Sequence, residues 1–238
     1  MRYAERIISD LEAEEVKIKG LEEIEKMKAF IFDLDGVIVF TDKFHYQAWK
    51  TMADELGVYF DETINHRLRG VSRMDSLEII LERYEGPDLS LREKEKLAEK
   101  KNEIYRTLLE SMTPDDVTKE VRDTLTKLRE KGYKLAIGSS SKNAKFILEK
   151  VELKDAFDAI SDGNNITKSK PDPEVFLKAA EYLGLPPKEC IVVEDAEAGI
   201  EAAKKGGMYA AGIGEAAKSI NADESLKTFS ELVDIVDK

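Results

Sequence analysis

Apolar positions follow two different periods along this chain. Residues 28–33 hold an uninterrupted apolar run, Ala29-Phe30-Ile31-Phe32, as expected of a strand buried on both faces. From 42 to 111 the period becomes helical. Phe44, Ala48, Trp49, Met52, Ala53 and Leu56 recur at helical spacing, as do Leu77, Ile80, Leu81 and Tyr84, and then Leu97, Ile104, Leu108 and Leu109. No strand pattern interrupts this block, which reads as an inserted helical bundle. After Pro114 strands and helices alternate. The pattern predicts helices at 121–131, 143–151, 173–183 and 196–205, with Gly184 stopping the third. Strands are predicted at 134–138, 159–161, 191–194 and 209–213. Residues 1–27 are Glu-rich with scattered apolar contacts and read as a helical extension without chemistry.

Strands separated by helices of this length predict an α/β fold, a Rossmann-like parallel sheet core covered on both faces, with an inserted all-helical cap domain. The expected boundaries are 1–27 for the extension, 28–41 and 112–238 for the core, and 42–111 for the cap.

The apolar strand at 28–33 stops at two carboxylates, Asp33 and Asp35, followed by Gly36. Residues i and i+2 of a strand point the same way, so both side chains can leave the strand end together. Gly36 permits a sharp turn. Two such carboxylates can bind a divalent cation and divide nucleophile and acid roles. A bare D-x-D also fits a strand that merely ends in an acidic turn. Three further segments weigh against that reading. In parallel sheets ligands sit at the carboxyl ends of the strands. Ser139 to Ser141, Lys170 and Glu194-Asp195 all fall at such ends, so four separated segments converge on one edge.

Composition sets the outer limits. The chain has 238 residues, 42% hydrophobic and 36% charged, with net charge −12. That balance suits a globular protein with a sizeable core and argues against nucleic acid or an anionic membrane as partner. No apolar run is long enough to span a membrane, and the first residues lack the apolar stretch of a signal peptide. Cys190 is the only cysteine, so no intramolecular disulfide forms, and it reads as a small apolar filler beside a strand. A reducing, cytoplasmic setting and a monomer are the expectations.

The four segments resemble the motifs of the haloacid dehalogenase superfamily of aspartate-based phosphotransferases: Asp33-Leu34-Asp35-Gly36-Val37, Ser139, Lys170-Pro171 and Glu194-Asp195. Within that group the chain resembles the β-phosphoglucomutase family. This second likeness rests on His45-Tyr46-Gln47-Ala48-Trp49, Gly70-Val71-Ser72-Arg73, Lys100-Lys101-Asn102 and Ser139-Ser140-Ser141-Lys142-Asn143.

The resemblance implies Asp33 as nucleophile, forming an acyl phosphate, and Asp35 as general acid and base. It implies that Ser139 donates to the transferring phosphoryl group and that Lys170 supplies charge beside it. Hard oxygen ligands and phosphate chemistry favour Mg²⁺. Its implied ligands are the Asp33 side chain, the Asp35 backbone carbonyl, Glu194 and Asp195. A cis peptide at Lys170–Pro171 is also implied. The non-reacting phosphate is assigned to Arg73, Ser141, Lys142 and Asn143. His45 and Lys101 are placed at the closing cleft, and Gly70 and Trp49 in the substrate-facing segments. Trp49 also falls on the apolar stripe and reads as cap core.

One residue departs from the family pattern. Close relatives often carry Asp-Thr where this chain has Phe40-Thr41. The substitution removes a carboxylate at the hinge but no chemical group named above. The implied activity is interconversion of β-glucose 1-phosphate and glucose 6-phosphate through a phosphoaspartyl enzyme and β-glucose 1,6-bisphosphate. Alternatives are a small sugar-phosphate phosphatase on the same core and a catalytically silent binding protein. The last expects a broken Asp33/Asp35 pair, and both residues are present.

Overall fold

A computed structural model describes residues 24–68 and 71–237. Most of the extension predicted over 1–27, and Gly70, lie outside the described residues.

Six parallel strands form one sheet in the order β3-β2-β1-β4-β5-β6. They are β1 (Ala29–Phe32), β2 (Lys134–Gly138), β3 (Ala159–Ser161), β4 (Cys190–Glu194), β5 (Tyr209–Gly212) and β6 (Glu224–Ser225). The first five fall where the apolar runs place them. The two-residue edge strand β6 was not anticipated, because two residues carry no readable period. Alternation along β1 divides the core. Phe30 and Phe32 face one hydrophobic cluster, while Ala29 and Ile31 face another.

Helices α1 (Asp42–Glu55), α2 (Glu62–His66), α3 (Arg73–Leu81) and α4 (Leu91–Leu109) lie between β1 and β2. Around the sheet are α5 (Lys119–Glu130), α6 (Ala144–Lys150), α7 (Glu174–Leu183), α8 (Glu197–Lys205) and α9 (Glu231–Ile235). Val121, Leu125, Leu128, Ile147, Leu148 and Leu232 cover the Phe30 face. Val175, Phe176, Ala179, Ile200 and Ala203 cover the Ile31 face.

The helix starts are chemically marked. Asp61, Ser72 and Thr118 each accept the backbone N–H three residues on, through their side chains. Ser90 and Glu93 form a reciprocal capping box at the start of α4. Gly184 ends α7 in the left-handed region, at φ +69°.

Trp49, Met52, Phe60, Ile64, Leu77, Ile80 and Ala98 form a third cluster remote from the sheet. At the base of this helical segment Phe44, Ala48, Tyr105 and Leu109 join the Phe30 cluster instead. The helices are therefore packed onto the sheet by side chains of α1 and α4.

Strand order fixes where chemistry can occur. The chain leaves β1 toward β2 and β3, then returns to the other side of β1 for β4 to β6. β1 is the switch point, where the crevice of an open parallel sheet opens at the carboxyl ends. Asp33 follows β1 directly, Ser139 follows β2, and Asp195 follows β4.

Candidate active site

A cleft of about 750 Å³ lies over these strand ends, roofed by α1, α3 and α4. Its size suits a small ligand. At the sheet end, Asp33, Glu194 and Asp195 bring carboxylate oxygens within 4.8 Å of one another. Lys170 donates to Asp33 at 2.7 Å and is also hydrogen-bonded to Glu194. Burial opposes the Lys170 charge, but the Asp33 and Glu194 carboxylates outweigh it and raise its pKa. Lys170 is thus a fixed cation. It precedes Pro171 through a cis peptide bond.

One lysine does not balance this acidic group. Burial, with the Asp33 and Glu194 charges adding, pushes Asp195 up to about 8. Burial also raises Glu194 against the pull of Lys170. Crowded, buried carboxylates of this kind suit a hard divalent cation, which removes the repulsion between them. The backbone is shaped around them. At Gly36, where φ is +88°, a Cβ would stand 2.1 Å from Asp195 Oδ2, so only glycine leaves that carboxylate its place.

Asp35 lies beside this group in a different environment. Burial pushes its carboxyl up to about 7, a hydrogen bond from Thr41 opposes the rise, and the Asp33 charge adds to it. A carboxyl poised near neutrality can both give and take a proton. The buried Thr41 hydroxyl donates to Asp35 and shares a 2.9 Å hydrogen bond with the Tyr105 hydroxyl. The Tyr105 ring stacks on His45, with centroids 4.1 Å apart. His45 Nδ1 lies 2.9 Å from Lys101 Nζ. Burial, then the Lys101 and Arg73 charges, hold His45 well below its ordinary pKa. A neutral imidazole can accept from the lysine. Lys101 is itself lowered to about 7 by burial, reinforced by Arg73.

Arg73, Ser141, Lys142 and Asn143 also line the cleft. Arg73 opens α3, and Asn143 stands immediately before α6. Ser139 Oγ accepts the Ser141 N–H, and Ser141 Oγ accepts the Asn143 N–H. This folds the 139–143 segment into a turn whose polar groups face one space. Trp49 is buried in the remote helical cluster and also lines the cleft, with Lys101 Nζ 4.6 Å above its ring.

Of the catalytic, substrate-binding and metal-ligating candidates from sequence, all but Gly70 lie among the described residues, and they line this one cleft. Sequence reasoning gave no role to Tyr105 or Asn102 and only local hydrogen bonding to Thr41. Tyr105 was legible in principle, because it follows Lys101 by one helical turn and so shares its face.

The sequence profile described as haloacid dehalogenase-like hydrolase matches residues 27–207. The chain belongs to this family. Its relatives in the haloacid dehalogenase-like group include β-phosphoglucomutase of Bacillus subtilis, 41% identical over 208 residues, which are 87% of this chain and 92% of that protein. The phosphorylated carbohydrates phosphatase of Thermotoga maritima is 31% identical over 76% of this chain and 82% of its own. Among solved structures, β-phosphoglucomutase from Clostridium difficile superimposes with a TM-score of 0.80 at 37% identity, over 87% of this chain and 93% of that one.

Proposed function

We propose that the chain interconverts β-glucose 1-phosphate and glucose 6-phosphate through a phosphoaspartyl enzyme and β-glucose 1,6-bisphosphate. The observation that carries this reading is a cleft lined by two separate sets of polar groups. Asp33, Glu194, Asp195 and Lys170 form one set, and Arg73, Ser141, Lys142 and Asn143, two of them joined through Asn102, line the same cleft as a second. A site that only hydrolyses a monophosphate needs one anion subsite, whereas a bisphosphate needs two. Likeness to two β-phosphoglucomutases over most of the chain supports the same assignment.

In this reading Asp33 attacks the phosphoryl group and Asp35 moves the proton. Asp35 protonates the leaving sugar oxygen in one half-reaction and deprotonates the attacking hydroxyl in the other. Lys170, fixed between Asp33 and Glu194, spreads the charge of the transfer. Ser139, whose oxygen accepts from Ser141, keeps its hydroxyl hydrogen to donate to the phosphoryl oxygens. Mg²⁺ held by Asp33, the Asp35 carbonyl, Glu194 and Asp195 would supply neutralising charge to two anions brought together. Arg73, Ser141, Lys142 and Asn143 hold the second phosphate. The helical segment 42–111 acts as the cap that closes the cleft, with Trp49, His45 and Lys101 facing the substrate.

The test is an assay with β-glucose 1-phosphate, Mg²⁺ and a trace of the bisphosphate, reading glucose 6-phosphate against free phosphate. Glucose 6-phosphate is expected to dominate. Free phosphate as the main product would make the enzyme a sugar-phosphate phosphatase.

A further inference from the structure

Asn102 joins the two sides of the distal subsite through a single atom. Arg73 Nη2 donates to Asn102 Oδ1 at 2.8 Å. Asn143 Nδ2 donates to the same oxygen, also at 2.8 Å. Arginine has no acceptor, so the carboxamide must turn its oxygen toward Arg73, and Asn143 must then present its amide nitrogen. Both orientations are thus fixed by chemistry. The donors come from different parts of the fold. Arg73 opens α3 in the helical segment, and Asn143 precedes α6 beside the sheet.

We infer that Asn102 is a positioning residue for the second phosphate: its one neutral oxygen converges the Arg73 and Asn143 donors without consuming the arginine charge. The inference rests on the assignment of that phosphate to Arg73 and Asn143 made above.

Neutrality is the central point. Arg73 is partly buried, and that burial lowers its pKa. No carboxylate among the described residues forms an ion pair with it, although Glu99 acts on it at longer range. A carboxylate at 102 would hold the guanidinium equally well in space but would also cancel its charge and repel a phosphate. An amide orients the fork and leaves its charge for the ligand. Successive helical residues are turned by about 100°, so α4 can present Lys101 to His45 and Asn102 to Arg73 from adjacent positions. One helix thereby serves both His45 and Arg73.

The test compares Asn102→Ala and Asn102→Asp with the wild type in two reactions on the Mg²⁺-loaded enzyme. One is mutase turnover of β-glucose 1-phosphate at fixed bisphosphate, and the other is hydrolysis of acetyl phosphate, which has no second phosphate. Alanine favours helix more than asparagine, so α4 is retained. Asn102→Ala is expected to raise KM for β-glucose 1-phosphate about 3- to 10-fold, the worth of one or two hydrogen bonds. Asn102→Asp is expected to raise it about 30-fold or more, because charge is added to the same geometry. In both, KM for acetyl phosphate should rise less, and mutase kcat should fall less than mutase KM rises. The Arg73→Ala/Asn102→Ala pair should lose less than the product of its single losses, since Asn102 acts partly through Arg73.

An Asn102→Asp variant no weaker than Asn102→Ala would overturn the proposal. So would parallel losses in both reactions, or fully multiplicative losses in the pair. Arg73→Ala separates the two levels of argument. If it leaves hexose phosphate binding unchanged, the distal subsite itself is misassigned. If it weakens binding while Asn102→Ala does not, only the role of Asn102 fails.

Discussion

Asp33 and Asp35 are two residues apart and the same chemical type, yet the fold gives them different surroundings. Asp33 is paired with Lys170 and sits among the carboxylates that can hold a cation. In the proposed reaction it is the nucleophile, held by the Lys170 ammonium. Asp35 is bound by the Thr41 hydroxyl and pushed up to about 7, mainly by burial. The difference supports the proposed division into nucleophile and acid. Asp33→Asn should therefore lower turnover by about 10³-fold or more, because an amide cannot serve as the nucleophilic oxygen. It should also weaken divalent-cation affinity. A folded Asp33→Asn variant retaining more than about a tenth of wild-type rate would exclude Asp33 as nucleophile. Asp35→Asn should lower turnover by about 10²–10⁴-fold, the usual worth of acid–base help. Its Mg²⁺ affinity should persist, since only the backbone carbonyl of Asp35 is assigned to the metal. Loss of metal binding with normal chemistry at saturating metal would reverse that assignment.

At the scale of elements, α4 carries Lys101, Asn102 and Tyr105, so its integrity supports the contacts to His45, Arg73 and Thr41. Its start is fixed by the Ser90–Glu93 capping box, nearly three turns before Lys101. Ser90→Ala should cost about 1 kcal/mol of stability. Turnover of the folded enzyme should stay near that of the wild type, because the cap is remote from the chemistry. Thermal melting and a rate measured well below the transition distinguish the two effects. A fall in rate without a fall in stability would mean that the start of α4 moves during the reaction. Strand β4 offers a second check. Cys190 opens it fully buried, and burial, with the Glu189 charge adding, pushes its thiol up to about 12. A thiolate reagent at pH 8 should leave the native protein unlabelled and react once it is unfolded by denaturant. Rapid labelling of native protein would show that β4 opens.

What the sequence could disclose also depends on scale. Strands β1, β2, β4 and β5 are buried on both faces, so their apolar runs were legible without tertiary information. Helix starts were less sharp. Helix α5 begins two residues before its first predicted position because Thr118, which has no hydrophobic signal, caps it. Asp33, Lys170 and Glu194 could be brought together because each ends or follows a strand of one sheet. Tyr105 and Thr41 could not be paired in that way. Their contact spans 64 positions and depends on how α1 and α4 pack, which periodicity does not encode. Asn102 was visible as part of a motif, yet its function lies in two hydrogen bonds to residues 29 and 41 positions away.

At the scale of the molecule, the chain passes between sheet and helical segment at 40–41, where its chemistry and mechanics meet. Val39 and Thr41 are fully buried, and Thr41 holds Asp35. Between them Phe40 is 62% exposed. A large ring at such a position contributes little burial, so Phe40→Asp should change stability by no more than about 0.5 kcal/mol. Its effect should be kinetic. Any motion of α1 toward the sheet must be absorbed in this connection, and a new carboxylate there alters the charge beside Asp35 and Asp42. The apparent affinity for β-glucose 1-phosphate or the rate of cap closure should shift. The ratio of glucose 6-phosphate to free phosphate should not, because exposed Phe40 is not among the residues lining the cleft. Melting curves, KM and the product ratio of the Phe40→Asp enzyme test the three statements separately. A rise in free phosphate at unchanged stability would place control of water entry at residue 40 rather than among the residues that line the cleft.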